Sequence, residues 1–279
     1  MKAGAIVLWI AKAAAIYAAI FAASVIGGLT VYRDVAAPEG FDIAAAQRVM
    51  LAVNAVYAVL LAVLASNARG SRLMSAALLF ALFFGVQTAL SQMEAVYFAE
   101  SFDYPVSAAP RELAAGALNA AFGAIAAALL FSPREETYAP RGRGALAWRF
   151  AAATLLYPVA YWTAGLLIAW RSEDVRDFYN NAEGIEPGPL LAFQIFRGAI
   201  WAGLALWAGY GLRGARLSRA VLVGAAFFIF MAAQLFYPSP FMPEPVRMAH
   251  FVEIGVSNFL YGLIAAMLLA PQRVRGAQD

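Results

Sequence analysis

The sequence predicts an all-α integral membrane protein, with eight transmembrane helices arranged as two parallel four-helix repeats. Three observations carry that reading. Hydrophobic residues make up 63% of the 279 and charged ones only 13%, with a mean hydropathy of +0.70, whereas soluble domains carry about 25% charged residues. The apolar residues fall into runs of about 20, the length that crosses a hydrocarbon core. Finally, the chain repeats itself. Arg69–Phe84 reads RGSRLMSAALLFALFF and Arg213–Phe228 reads RGARLSRAVLVGAAFF. The shared RG-small-RL start and the Phe83-Phe84 and Phe227-Phe228 pairs coincide without a gap, as an internal duplication would leave them.

Hydropathy places the spans at about 4–30, 46–66, 72–98, 111–131, 148–170, 189–212, 218–237 and 247–270. Turn-forming residues separate them, among them Pro38-Glu39-Gly40, Asn67 to Gly70, Pro187 to Pro189 and Pro238 to Pro245. Lys2 before an apolar run resembles a signal peptide. Lys12 interrupts that run, however, and Gly27-x4-Tyr32-Arg33 matches Gly165-x4-Trp170-Arg171 at the end of span five. A segment inside the duplication is read as a retained first helix. The first repeat is expected over 1–131, a cytoplasmic linker over 132–147 and the second repeat with a short tail over 148–279.

Gln47 and Gln194 each open an even-numbered span. Tyr104-Pro105 and Tyr237-Pro238 each follow an odd one, and Asn119-x-x-Phe122-Gly123 answers Asn258-x-x-Tyr261-Gly262. Four spans per half brings both halves into the membrane from the same side, so the expected pseudo-twofold axis runs along the membrane normal. The N-terminus, the loops after spans two, four and six and the tail hold 13 of the 20 Lys and Arg, but only Glu135, Glu136 and Asp279 of the 17 acids. By the positive-inside rule the termini are cytoplasmic and the protein lies in the inner membrane, with the acidic loops 32–45 and 171–187 outside.

Absences narrow the chemistry. The chain has no Cys and a single His, His250, and its only lysines are Lys2 and Lys12. Disulfides, thiolate nucleophiles, haem held by two His and three-His zinc are excluded, and neither a metal nor a cofactor is expected. There is no phosphate-binding loop, no H-E-x-x-H and no G-x-S-x-G. The basic residues lie in short loops between spans, so they mark orientation and not a nucleic-acid surface. The 4+4 plan resembles that of haem A synthase and of copper-resistance membrane proteins in layout, without the His ligands those families use.

Polar residues within spans are costly, and they cluster here. Span three carries Gln87, Ser91 and Glu94 on one helical face. Span eight carries His250, Glu253, Ser257 and Tyr261 at helical spacing, with Asn258 adjacent. Span two offers Arg48 and span six Arg197. The duplication aligns Gln87 and Glu94 with Met231 and Pro238, and His250 with Arg111, so each half keeps its polar face on a different span. This asymmetry favours a single specialised pocket. Against it stand the ordinary alternatives: interface anchoring for Glu94 and the arginines, a structural His250–Glu253 hydrogen bond, and interhelical bonding by Asn119 and Asn258.

The leading expectation is a membrane protein that binds or transports a small amphiphilic or anionic molecule through an outward-facing polar pocket among spans two, three, six and eight. Its expected ligand contacts are Gln87, Ser91, Glu94, Arg48, Arg197, Ser257, Asn258 and Tyr261. Besides the lipid bilayer, the expected partner is a small-molecule or lipid ligand, with no nucleic acid. Two alternatives stand beside it. One is an intramembrane enzyme acting on a lipid-like substrate, with His250 and Glu253 as acid and base. The other is a non-catalytic subunit or assembly factor that meets a membrane partner subunit.

Overall fold

The computed structural model describes residues 3–36, 41–139, 141–179 and 186–273. Local chemistry sets where its helices start. Asp42 accepts a hydrogen bond from the Ala45 amide and Ser71 from that of Met74, satisfying donors that a helix start leaves open. Pro110, Pro187 and Pro245 stand in first turns, where a missing N–H costs nothing. The result is eight helices long and apolar enough to cross a membrane: Ala3–Thr30, Ile43–Ser66, Arg72–Tyr97, Val106–Leu130, Arg143–Arg171, Pro187–Gly211, Arg216–Phe236 and Glu244–Leu269. They are spans one to eight of a multi-pass membrane architecture.

Spans four and five begin five residues earlier than hydropathy places them. Hydropathy finds the apolar body of a helix and misses its polar first turn. A further short helix, Glu173–Tyr179, lies in the segment read from sequence as loop. Its Val175 is buried in a satellite cluster with Ala169 and Val246.

The loops after spans two, four and six gather at one end of the bundle. There, contacts come in reciprocal pairs. The Arg69 amide donates to the Gly211 carbonyl and the Arg213 amide to that of Asn67, each at 2.9 Å. The guanidinium of Arg69 donates to the Tyr210 carbonyl and that of Arg213 to the Ser66 carbonyl, each at 2.8 Å. Each turn needs a left-handed residue, which Gly70 (φ 87°) and Gly214 (φ 106°) supply. Tyr138 crosses this clasp: its hydroxyl meets Glu136 and the Leu212 carbonyl, and burial together with the Glu136 hydrogen bond pushes its pKa up to about 12. Beside it, Tyr138–Ala139 pairs antiparallel with Gln272–Arg273.

Span one packs on two and four, as five packs on six and eight. Span three lies along four and seven along eight, and the bundle closes where two reaches seven, six reaches three, and three meets seven. Lipid offers no hydrophobic drive between helices, so small residues and aromatic packing hold this seam. Gly224 and Gly262 let spans seven and eight approach until a Cβ on Gly224 would stand 2.7 Å from the Phe259 carbonyl oxygen. Tyr57 meets Phe83 edge to face at 5.0 Å, and Trp201 meets Phe227 in the same way at 4.6 Å.

Candidate functional site

Span three is not α-helical throughout. Phe83–Ala89 winds as π-helix, a form frequent at functional sites because it rotates the residues that follow. Those residues are Ser91 and Glu94. Ser91 accepts from the Gln234 amide at 2.9 Å across the seam. Glu94 Oε2 sits 2.8 Å from Arg197 Nη2 of span six, a guanidinium with no solvent exposure. Gln194, one turn earlier, accepts from Arg197 Nη1 at 3.1 Å. A buried cation requires such a partner in a medium that solvates charge poorly.

Span eight brings the second carboxylate. His250 Nδ1 lies 2.6 Å from Glu253 Oε2, and its Nε2 lies 3.2 Å from the Tyr179 hydroxyl at the end of the short helix. Burial and the nearby carboxylates of Glu94 and Glu253 raise the pKa of Tyr179, so the phenol stays protonated. The phenol and the Glu253 carboxylate thus hold the two ring nitrogens of His250.

Both carboxylates face an open cavity of about 610 Å³ lined by spans three, five, six, seven and eight, by the short helix and by the loops after spans three and seven. Aromatic side chains make much of its wall, including Phe98, Tyr161, Trp162, Trp170 and Tyr179. Tyr104 and Phe241, 5.8 Å apart, stand at the loop end. A chamber of about 20 Å³, room for one water-sized group, lies between Glu94 and Glu253 and touches Tyr157, Tyr161, Ser257 and Asn258.

Of the residues singled out in the sequence, the fold thus gathers Ser91, Glu94, His250, Glu253, Ser257 and Asn258 around one space, with Arg197 directly behind Glu94. It leaves three elsewhere. Arg48, expected among the ligand contacts, is exposed on span two and lines neither space, and span two contributes nothing to the wall. Gln87 accepts from its neighbour Thr88 within the π segment. Tyr261 is buried and donates to the Ala153 carbonyl. Arg247 lines the larger cavity, but its guanidinium is engaged by the carbonyls of Leu235, Tyr237 and Met242. The two asparagines of the repeat part ways: Asn119 bonds Ser24 across spans, whereas Asn258 faces the chamber.

Sequence reasoning missed Tyr157, Tyr161, Tyr179 and Gln234. Tyr157 and Tyr161 stand one turn apart on span five, a visible pair that reads equally well as interface aromatics. Tyr179 was hidden in a stretch taken as loop, although Ser172-Glu173-Asp174 before Val175 and Phe178 is a helix-start pattern. Among the described residues no group of three or more His, Asp or Glu could hold a metal ion. Comparison with family models, with curated proteins and with solved structures finds no match to this chain.

Proposed function

We propose that this protein binds a small amphiphilic molecule in an outward-facing pocket at the outer half of the inner membrane, either to hold it or to move it. The observation that carries the reading is the 610 Å³ cavity, whose aromatic wall ends in two individually partnered carboxylates, one buried and one half-buried. An apolar wall with a few convergent polar groups is the usual make-up of a small-molecule site.

The architecture we infer is two parallel four-helix repeats, 1–131 and 148–279, joined by the linker 132–147. The reciprocal clasp supports it, because the hydrogen bonds from Arg69 to Gly211 and from Arg213 to Asn67 exchange under a shift of 144 residues, as a twofold axis between them requires. Tyr57–Phe83 and Trp201–Phe227 exchange under the same shift. The excess of Arg and Lys at the clasped end supports cytoplasmic termini and an outward mouth for the cavity.

The Tyr179–His250–Glu253 chain favours a second reading, an intramembrane enzyme in which His250 exchanges a proton with a lipid-like substrate. Mass spectrometry of small molecules that co-purify with the protein in mild detergent tests the first. A binder should retain one species at fixed stoichiometry and lose it in Gly165→Leu, since Gly165 lines the cavity and faces Glu253 Oε1. Equal recovery from both proteins would refute the pocket. Loss of turnover with retained binding in His250→Asn would select the enzyme.

A further inference from the structure

The inside of the cavity carries more acceptors than its own residues satisfy. Glu94 uses Oε2 for Arg197, and Glu253 uses Oε2 for His250. Neither Oε1 accepts a hydrogen bond from any described residue, and both carboxylates line the same small chamber. Asn258, 5% exposed and on the same wall, makes no side-chain hydrogen bond among the described residues. Acceptors left open on a cavity wall take their hydrogen bonds from water or from a ligand that donates.

Charge points in the same direction. Arg197 neutralises Glu94. Glu253 has only the His250 imidazole, through its Oε2. Two carboxylates therefore line the chamber, and a single arginine, on Glu94, answers them. The arginines that would serve an anion are not free to do so, since Arg197 is paired with Glu94 and Arg247 is directed at three main-chain carbonyls. The wall that leads from the mouth to this point is rich in aromatic rings, whose π faces attract cations.

Resting on the pocket reading above, we infer that the ligand is a protonated amine: an ammonium head seated between Glu94 Oε1, Glu253 Oε1 and Asn258, with its apolar body in the aromatic cavity. A primary ammonium has three N–H donors and no acceptor. It thus matches three vacant acceptors on an acidic wall. The chamber admits a single head of that size, and the larger cavity holds the rest of the molecule.

Three probes with one body and different heads decide the matter: 2-phenylethylamine, 2-phenylethanol and 3-phenylpropanoate. Each is titrated into the full-length protein in detergent while the fluorescence of Trp162 and Trp170 in the cavity wall is followed. The ammonium should bind about tenfold or more tightly than the alcohol, as charge-assisted hydrogen bonds require, and the carboxylate should bind weakest. In Glu253→Gln the ammonium should fall to the level of the alcohol, whose own affinity stays within about twofold. If that variant does not fold, the head-group series on the native protein decides alone. Equal affinities for ammonium and alcohol, preference for the carboxylate, or no binding by any probe would each overturn the ammonium seat. So would displacement of the amine by sodium chloride and not by choline chloride, which would make it a metal-cation seat. Mass spectrometry separates the two failures: a small molecule that still co-purifies keeps the pocket while the amine falls, and its absence removes both.

Discussion

At the scale of residues, the pairing of Glu94 with Arg197 is what makes a fully buried guanidinium tolerable in this fold. Removing one partner of a buried pair strands the other, at a cost of about 3 kcal/mol. Glu94→Ala should therefore lower the thermal midpoint in detergent markedly, and Glu94→Ala combined with Arg197→Met should recover most of the loss. A single variant as stable as the native chain would show that the pair holds nothing. These two residues also mark how far the sequence was legible. That Glu94 and Glu253 must turn away from lipid followed from the cost of burying charge in hydrocarbon, and both face the interior. Which arginine would answer Glu94 did not follow. Both Arg48 and Arg197 lie in the outer part of their spans, and only the packing of span six against span three selects Arg197.

At the scale of elements, hydropathy located all eight long helices, because a 20-residue apolar run has few other fates. It could not show the π segment Phe83–Ala89, whose composition, FFGVQTA, is that of any apolar helix. That segment has a traceable effect. Set back by one residue, Ser91 falls opposite Gln234 in the 144-residue frame, and those two side chains bond across the seam. The pairing of spans seven and eight makes a sharper prediction about glycine. A methyl at Gly224 meets the Phe259 main chain and the spans must part, whereas one at Gly203 meets nothing within 4 Å. Gly224→Ala should cost about 1–3 kcal/mol. Gly203→Ala should be neutral or stabilising by up to about 1 kcal/mol. Thermal unfolding of the two variants side by side is the check, and equal midpoints would mean that the close approach is not a source of stability.

At the scale of the whole molecule, the charge asymmetry predicts an orientation. Cysteines placed at Gly142 and Gly214 should be shielded from an impermeant thiol reagent in intact cells. Those at Gly40 and Gly184, which lie outside the described residues, should be labelled. The chain has no native Cys to confuse the reading. Labelling of Gly142 from outside would reverse the orientation and turn the cavity toward the cytoplasm.

The clasp between Asn67–Arg69 and Gly211–Arg213 has a mechanical consequence. It ties the two halves with two main-chain and two guanidinium bonds at the end remote from the cavity mouth. A body pinned at one end and hollow toward the other behaves as a hinged shell. Its mouth can widen while every one of those bonds stays intact, but opening the pinned end requires breaking all four together. If the cavity takes a ligand as proposed, loading it past Tyr104 and Phe241 leaves the clasp intact.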